Sequence, residues 1–155
     1  MVTDLSEQID SLDRKILRLM QQDSRMPFLE IARELKVSGG TVHGRVKKMK
    51  EMGLLLGTRI SIDPGAMGYR LSAFIGIQIN EASRLKNVAQ ELSKLAEVLE
   101  IHYTTGNFGL LIKILVRETA ELYEILSQKI QQIKGVQSTQ TLIILNTILE
   151  RDLQV

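Results

Sequence analysis

The chain has 155 residues, enough for one ordinary domain or two small ones, with 44% hydrophobic and 25% charged residues. That excludes a disordered or low-complexity chain, and 4% aromatics without Trp argue against a base-stacking RNA platform. With no Cys there is no disulfide framework, thiolate metal site or Cys nucleophile. The longest unbroken apolar run, Leu142-Ile143-Ile144-Leu145, falls far short of the ~20 residues a bilayer span needs. The opening Met1 to Glu7 lacks a basic and an apolar region, so no signal peptide is expected and a cytoplasmic location fits. The net charge of +2 is uneven: residues 1–62 carry 11 Lys/Arg against 8 Asp/Glu, and residues 63–155 carry 9 against 10. No acid lies between Glu34 and Glu51, while Lys36, Arg45, Lys47, Lys48 and Lys50 do. The cluster suits a polyanion partner at one place, or else a solvated Lys-rich helix face.

Two segments of different pattern meet near Ile62-Asp63-Pro64-Gly65, which predicts a first domain over 1–62, a hinge to about 68 and a second domain over 69–155. Asp10 is set to cap a first helix, with Asp13 in its first turn, and Leu12, Ile16, Leu19 and Met20 recur at helical spacing. Pro27 suits the first turn of a second helix bearing Phe28, Ile31, Ala32 and Leu35. Ser38 caps a third, expected over Gly39 to Met52, with Val42, Val46, Met49 and Gly53 along its inner face. The β-prone run Leu54 to Ile62, bent at Gly57, completes the pattern of a winged helix-turn-helix.

The second segment alternates Leu71, Ala73, Ile75, Ile77 and Ile79 with Ser72, Phe74, Gly76 and Gln78, a strand. A helix follows with Leu85, Val88, Ala89, Leu92, Leu95 and Ala96, then strands over 98–105 and 110–116 joined by a turn at Gly106-Asn107. Leu122, Ile125, Leu126, Ile130 and Ile133 mark a second helix, and 136–145 a last strand. The order βαββαβ predicts a ferredoxin-like antiparallel sheet with both helices on one face, so the fold class is α+β. Phe74, Leu111, Leu115, Ile143 and Leu145 would then leave an apolar patch on the other face, which a second copy would cover. A homodimer is expected.

In the third helix the face opposite the buried stripe holds Gly40, Gly44, Lys47 and Lys48, with Thr41 and His43 at its edges. The second helix of a helix-turn-helix enters the major groove of double-stranded DNA with its N-terminal residues nearest the bases. Gly40 and Gly44 suit close approach of backbone to DNA, or merely loosen the helix. Lys47, Lys48 and Lys50 suit phosphates, which give affinity and salt dependence but no sequence choice. His43 and Arg45 are the candidates for base edges, Arg45 alternatively for a phosphate, and Arg59 of the wing for a phosphate. His43 and His102 fall in different domains, so no metal site is expected; His102 reads as a packed or interface residue. No catalytic grouping or P-loop is present, and no enzyme is expected. The turn Thr104-Thr105-Gly106-Asn107-Phe108-Gly109 reads as a plain hairpin or as a cradle for a small carboxylate.

The strings Ile9-Asp10-Ser11-Leu12-Asp13-Arg14-Lys15-Ile16-Leu17, Ile31 to Ser38 and Thr41 to Met49 resemble the Lrp/AsnC (feast/famine) transcription regulators. The likeness continues through Gly53-Leu54-Leu55 and Asp63-Pro64 to Gly68-Tyr69 into the second domain, covering nearly the whole chain. Gly40-Thr41-Val42-His43, Tyr103-Thr104-Thr105-Gly106, Lys129-Ile130-Gln131 and Gln137 to Ile143 are similar to the asparagine-responsive members. The resemblance implies a RAM/ACT-like second domain that binds an amino-acid effector, asparagine favoured, and no other cofactor. It implies dimers assembled into octamers as tetramers of dimers, with the effector between dimers. Thr104, Thr105 and Gly106 would hold the ligand's α-amino and α-carboxylate groups, beside Tyr103, Asn107 and Phe108, while Gln137, Ser138, Thr139 and Gln140 of a neighbouring subunit would help close the pocket and read the side chain. Ser38, Gly39, Gly40, Thr41, His43, Gly44, Arg45, Lys47, Lys48 and Arg59 make up the expected DNA interface. The chain departs from the family at Gly39, where Pro is usual, at Gly44, where a larger residue is, and in the pocket strings at Asn107-Phe108 and at Gln140, which replaces an acid. An effector-independent architectural DNA-binding protein is the alternative, and a small-molecule enzyme on the ferredoxin-like frame a remoter one.

Overall fold

After a 3-10 turn over Ser6–Gln8, Asp10 starts the first helix. In the computed structural model, which describes residues 5–153 and 155, its carboxylate accepts from the backbone N–H groups of Leu12 and Asp13 at 2.8 and 2.9 Å. The Asp13 carboxylate accepts in return from Asp10 N–H at 3.1 Å, a reciprocal capping box that satisfies donors a helix start leaves free. Helix α1 (Ser11–Gln22) follows, then α2 (Phe28–Leu35) and α3 (Gly39–Glu51). Pro27 caps α2, just ahead of the first turn where it was expected, and α2 ends at Lys36 in the left-handed conformation (φ 56°). Ser38 Oγ accepts from Thr41 N–H at 3.0 Å and starts α3 as predicted. Ile16, Leu17, Leu19, Ile31, Ala32, Val42, Val46 and Met49 form the shared core of the three helices.

The predicted wing is not formed. Residues 54–63 pair with nothing as strands, and Leu56, Ile60 and Ile62 are 90, 78 and 60% exposed. A two-stranded ribbon is marginal without a helix or third strand over its apolar side, and in this segment Leu54 and Leu55 pack on the helical core while Leu56, Ile60 and Ile62 stay exposed. The chain divides into two compact units, one running to Ser61 and the other over Ile62–Glu150, with the tail from Arg151 returning to the first. The second domain expected over 69–155 therefore gives up its end: Gln21 Nε2 donates to the Leu153 carbonyl at 2.8 Å, Arg18 Nε donates to the Val155 carbonyl, and Val155 packs on the helical core.

In the second unit, strands β1 (Leu71–Ile79), β2 (Val98–Tyr103), β3 (Leu110–Val116) and β4 (Val136–Ile144) form one antiparallel sheet in the order β2-β3-β1-β4. Helix α4 (Leu85–Leu92) and helix α5 (Thr119–Glu124), which continues as a π-turn over Ile125–Ile130, pack on one face. This is the expected βαββαβ arrangement. The π-turn was not foreseen. Five residues separate the buried Ile125 and Ile130, a spacing that a regular α-helix turns about 140° apart. The wider turn, with Gln131 N–H bonded to the Leu126 carbonyl at 2.9 Å, keeps both on the core. Ala73, Ile75, Ile77, Leu110, Ile112, Ile114 and Val116 face these helices and are buried.

Facing residues of an antiparallel ladder share a side, so the open face carries Phe74, Gly76, Gln78, Leu111, Lys113, Leu115, Gln140, Leu142 and Ile144. The apolar patch is thus present with one correction: Ile143 pairs with Ala73 on the helix side, and Leu145 lies past the strand. A register shift in the β1–β4 ladder between Gln78 and Ile79 leaves Gln137 without a facing partner.

Candidate DNA interface and effector turn

Residues Gly40, His43, Gly44, Lys47 and Lys48 form the exposed ridge of α3. Ser38, whose hydroxyl also lies 2.8 Å from that of Thr41, fixes where this ridge begins. A Cβ added at Gly44 would meet nothing within 4 Å and one at Gly40 only Ser38 Oγ at 3.8 Å, so both glycines leave open space beside the helix. Gly39 is different: a Cβ there would meet the tip of the Leu29 side chain at 2.8 Å, an exposed leucine end that can turn aside. Gly40, Thr41, Gly44 and Lys48 line an open depression of about 410 Å³ together with Gln8, Asp10, Asp13 and Arg45. The His43 ring stands edge-on to Phe28 with centroids 6.0 Å apart, which orients it while leaving it exposed.

Arg45 corrects an expectation. Its Nη1 donates to Asp10 at 2.6 Å and to the buried Asp13 at 3.0 Å, tying α3 to the start of α1 rather than facing outward to base edges. The physical reason is Asp13: a carboxylate 4% exposed requires a cation, and Arg45 is the one beside it. The same contact shapes Asp10, whose pKa is pulled down to about 2 by the Asp13 N–H first and the Arg45 guanidinium next. Arg45 pairs with both acids beside the ridge and so reduces their charge from two negative units to one. Lys47 lies 3.8 Å from Glu51, and Lys48 Nζ donates to the Gln8 carbonyl at 3.4 Å; both side chains remain exposed. Arg59, expected on the wing, lies on the unpaired segment.

The expected effector residues divide between the two sheet faces. Thr104 N–H bonds the Gly109 carbonyl at 3.4 Å, and the Thr104 hydroxyl donates to the Phe108 carbonyl at 2.8 Å, closing the turn. Gly106 holds a positive φ of 98°, and Thr105, Gly106 and Asn107 are exposed. Phe108 folds back onto the open face, its ring directly over Gly76: a Cβ there would meet ring atoms at 2.6 to 2.7 Å. Gln140 faces Gly76 in the ladder, and Ser138 Oγ donates to Gln78 Oε1 at 2.7 Å beside it. These residues come together. Tyr103 and Thr139 instead lie on the helix side, Tyr103 65% exposed and Thr139 accepting from Gln131 Nε2 at 3.0 Å. Gly76 was not singled out in the sequence, although a glycine inside a strand is a signal of close approach. His102 also lies on the open face, 2.9 Å from Glu100, which in turn lies 3.6 Å from Lys113; Glu100 is held below the usual carboxylate range by His102 first. Among the described residues no group of three His, Asp or Glu is placed to hold a metal ion, and no helix is long and apolar enough to cross a membrane.

A capped basic helix in a three-helix unit, followed by a ferredoxin-like unit with a closed surface turn, defines a helix-turn-helix DNA-binding regulator with a separate ligand-binding domain. Residues 9–50 match the AsnC-type helix-turn-helix domain and residues 72–154 the Lrp/AsnC ligand binding domain, and the chain belongs to the Lrp/AsnC family. The regulatory protein AsnC of Haemophilus influenzae is 42% identical over 94% of this chain and 97% of its own length. The transcriptional regulator FL11 of Pyrococcus horikoshii is 34% identical over 90% and 91%. The structure of E. coli AsnC matches with a TM-score of 0.92 at 39% identity, covering 95% of this chain and 99% of that one. The relatives are regulators, and this chain is a transcriptional regulator rather than an enzyme.

Proposed function

We propose that the protein is a cytoplasmic, sequence-specific regulator that binds DNA through α3 and responds to an amino acid, asparagine favoured, controlling amino-acid metabolism genes and its own gene. The observation that carries the DNA reading is the exposed ridge of α3, where Lys47, Lys48 and His43 project while Arg45 engages the two neighbouring acids. Ser38, Gly39, Gly40, Thr41 and Gly44 set the helix start against the major groove; Lys47, Lys48 and Arg59 meet phosphates. Arg45 supports this surface from behind.

In the second unit, Thr104, Thr105 and Gly106 hold the effector's charged ends, with Tyr103, Asn107 and Phe108 around them, and Gln137, Ser138, Thr139 and Gln140 read its side chain. Exposed backbone and hydroxyl donors at the turn support this. The open sheet face, with Phe74, Leu111, Leu115, Leu142 and Ile144, meets the same face of a second copy, and dimers assemble further into octamers. Such a dimer presents two α3 helices about one DNA turn apart, ~34 Å, to a pseudo-palindromic site.

A gel-shift titration on the gene's own upstream region, at moderate salt with competitor DNA and with or without L-asparagine, tests the reading. A specific band whose midpoint moves with L-asparagine is expected; no band overturns the DNA assignment. Calorimetry against a panel of amino acids separates a sensor from an effector-independent architectural protein, which gives no heat with any of them.

A further inference from the structure

We propose that His43 gives the DNA interface its sequence choice, donating a ring N–H to the N7 edge of a guanine in the major groove, and that Phe28 holds the imidazole in place for it. This rests on the reading above that α3 enters the major groove.

The start of a recognition helix lies nearest the bases. Of the first eight residues of α3, Gly39 to Val46, only Gly40, His43 and Gly44 are exposed. Two of these have no side chain, so His43 is the one exposed side chain in the first two turns. The other polar side chains of that stretch are engaged within the helical unit. Arg45 Nη1 is bonded to Asp10 and Asp13, and the Thr41 hydroxyl lies 2.8 Å from Ser38 Oγ. Lys47 and Lys48 follow one turn later, and a flexible ammonium serves a phosphate better than it fixes a base. A Cβ at Gly44 would meet nothing within 4 Å, and one at Gly40 only Ser38 Oγ at 3.8 Å. Bare backbone on either side of His43 lets the helix sit low enough for a short side chain to reach a base edge.

Phe28, the first residue of α2, packs on the helical core. Its ring meets the imidazole edge-on, with centroids 6.0 Å apart and planes at 65°. An exposed side chain gives up rotamer freedom when it binds. Contact with an anchored ring meets part of that cost beforehand and restricts the orientations of the imidazole. Phe28 is thus a positioning residue that acts through His43. Guanine follows from the pattern of donors and acceptors. An imidazole carries at least one N–H in either protonation state. In the major groove guanine presents two adjacent acceptors, N7 and O6, whereas adenine sets its N6 amino donor beside N7. Cytosine offers only a donor, and the thymine O4 stands beside a methyl group.

The test uses the full chain and the duplexes it selects from a random-sequence library. Gel-shift titration at pH 8.5 on every single-base variant of the selected site should show one position per half-site where guanine is preferred by about 5- to 10-fold, the lower end for a base contact. At that position 7-deazaguanine, which lacks the N7 acceptor, costs the parent chain the same factor. In His43→Ala the preference and the 7-deazaguanine effect both fall below about twofold, while the other positions and the salt slope are unchanged. Phe28→Leu, which keeps the core apolar, loses the preference at the same position, and Phe28→Tyr keeps it. His43→Ala, an exposed substitution, decides the matter if Phe28→Leu fails to fold. An undiminished guanine preference in His43→Ala, or an equal loss on every sequence, overturns the inference alone. The same outcome in Phe28→Leu removes Phe28 from it. Failure of the parent chain to select any duplex overturns the DNA reading beneath it.

Discussion

Replacing Arg45 by Met separates a side chain that supports α3 from one that reads DNA. Arg45 donates to Asp13, whose side chain is 5% exposed, and to Asp10, whose side chain is 55% exposed. Water screens the Asp10 contact, so the Asp13 bond carries most of the effect. A hydrogen bond to a charged group contributes about 1.5–3 kcal/mol, and the 31% exposure of Arg45 itself puts the loss near the lower end, about 2 kcal/mol. Asp13 keeps its bond from Asp10 N–H, which limits the damage. Arg45→Met, Asp13→Asn and the double variant form a cycle whose interaction energy should be about 1.5–2 kcal/mol. Native-state hydrogen exchange on the full chain, followed at Ile16 and Val46, reads this opening energy within the helical unit alone. Preference among operator sequences should be unchanged. A coupling under about 0.5 kcal/mol, or relaxed choice at one base position, would refute the reasoning, since a base-reading Arg loses about 1–3 kcal/mol at the position it contacts.

Acid should loosen the start of α1. The Asp10 carboxyl has a folded pKa of about 2 against an ordinary 3.8, so its contribution is present above 3.8 and disappears as pH falls from there through 2. Protection of the Leu12 and Asp13 amides, followed by NMR, should fall across that window, and Asp10→Asn should abolish the component. Lys47→Ala and Lys48→Ala should each weaken DNA binding across all sequences and flatten the log–log salt slope by about 0.9; an unchanged slope removes that lysine from the interface. Ser38→Ala should cost the helical unit about 1 kcal/mol through loss of the α3 cap, measured by the same exchange experiment.

What was legible in the chain follows from local rules. Asp10 with Asp13, and Ser38 with Thr41, announce helix starts because a short acceptor three residues ahead of a donor is a local geometry. The strands could be read because alternation at Ala73, Ile75 and Ile77 or at Leu110, Ile112 and Ile114 reports one buried face. Contacts between distant segments were less accessible. Arg45, a candidate for a base edge or a phosphate near the buried side of the helix, gave no sign of its bond to Asp13, 32 residues earlier. The Gly76 seat for Phe108 joins β1 to the turn between β2 and β3, which no local pattern relates, and the β4 face assignment slipped by one residue at an irregularity only pairing reveals. Leu54 to Ile62 has strand composition but no partner within its own unit, and composition does not supply one.

The wide turn at Ile125–Ile130 carries a spare residue. A chain shortened by one position there would close into ordinary α-helix and still deliver Leu122 and Ile133 to the sheet, so this stretch absorbs a change of length. The same deletion in the middle of α3 would swing Lys47 and Lys48 by about 100° around the axis relative to Thr41. One helix is forgiving about how many residues it has, and the other must count them.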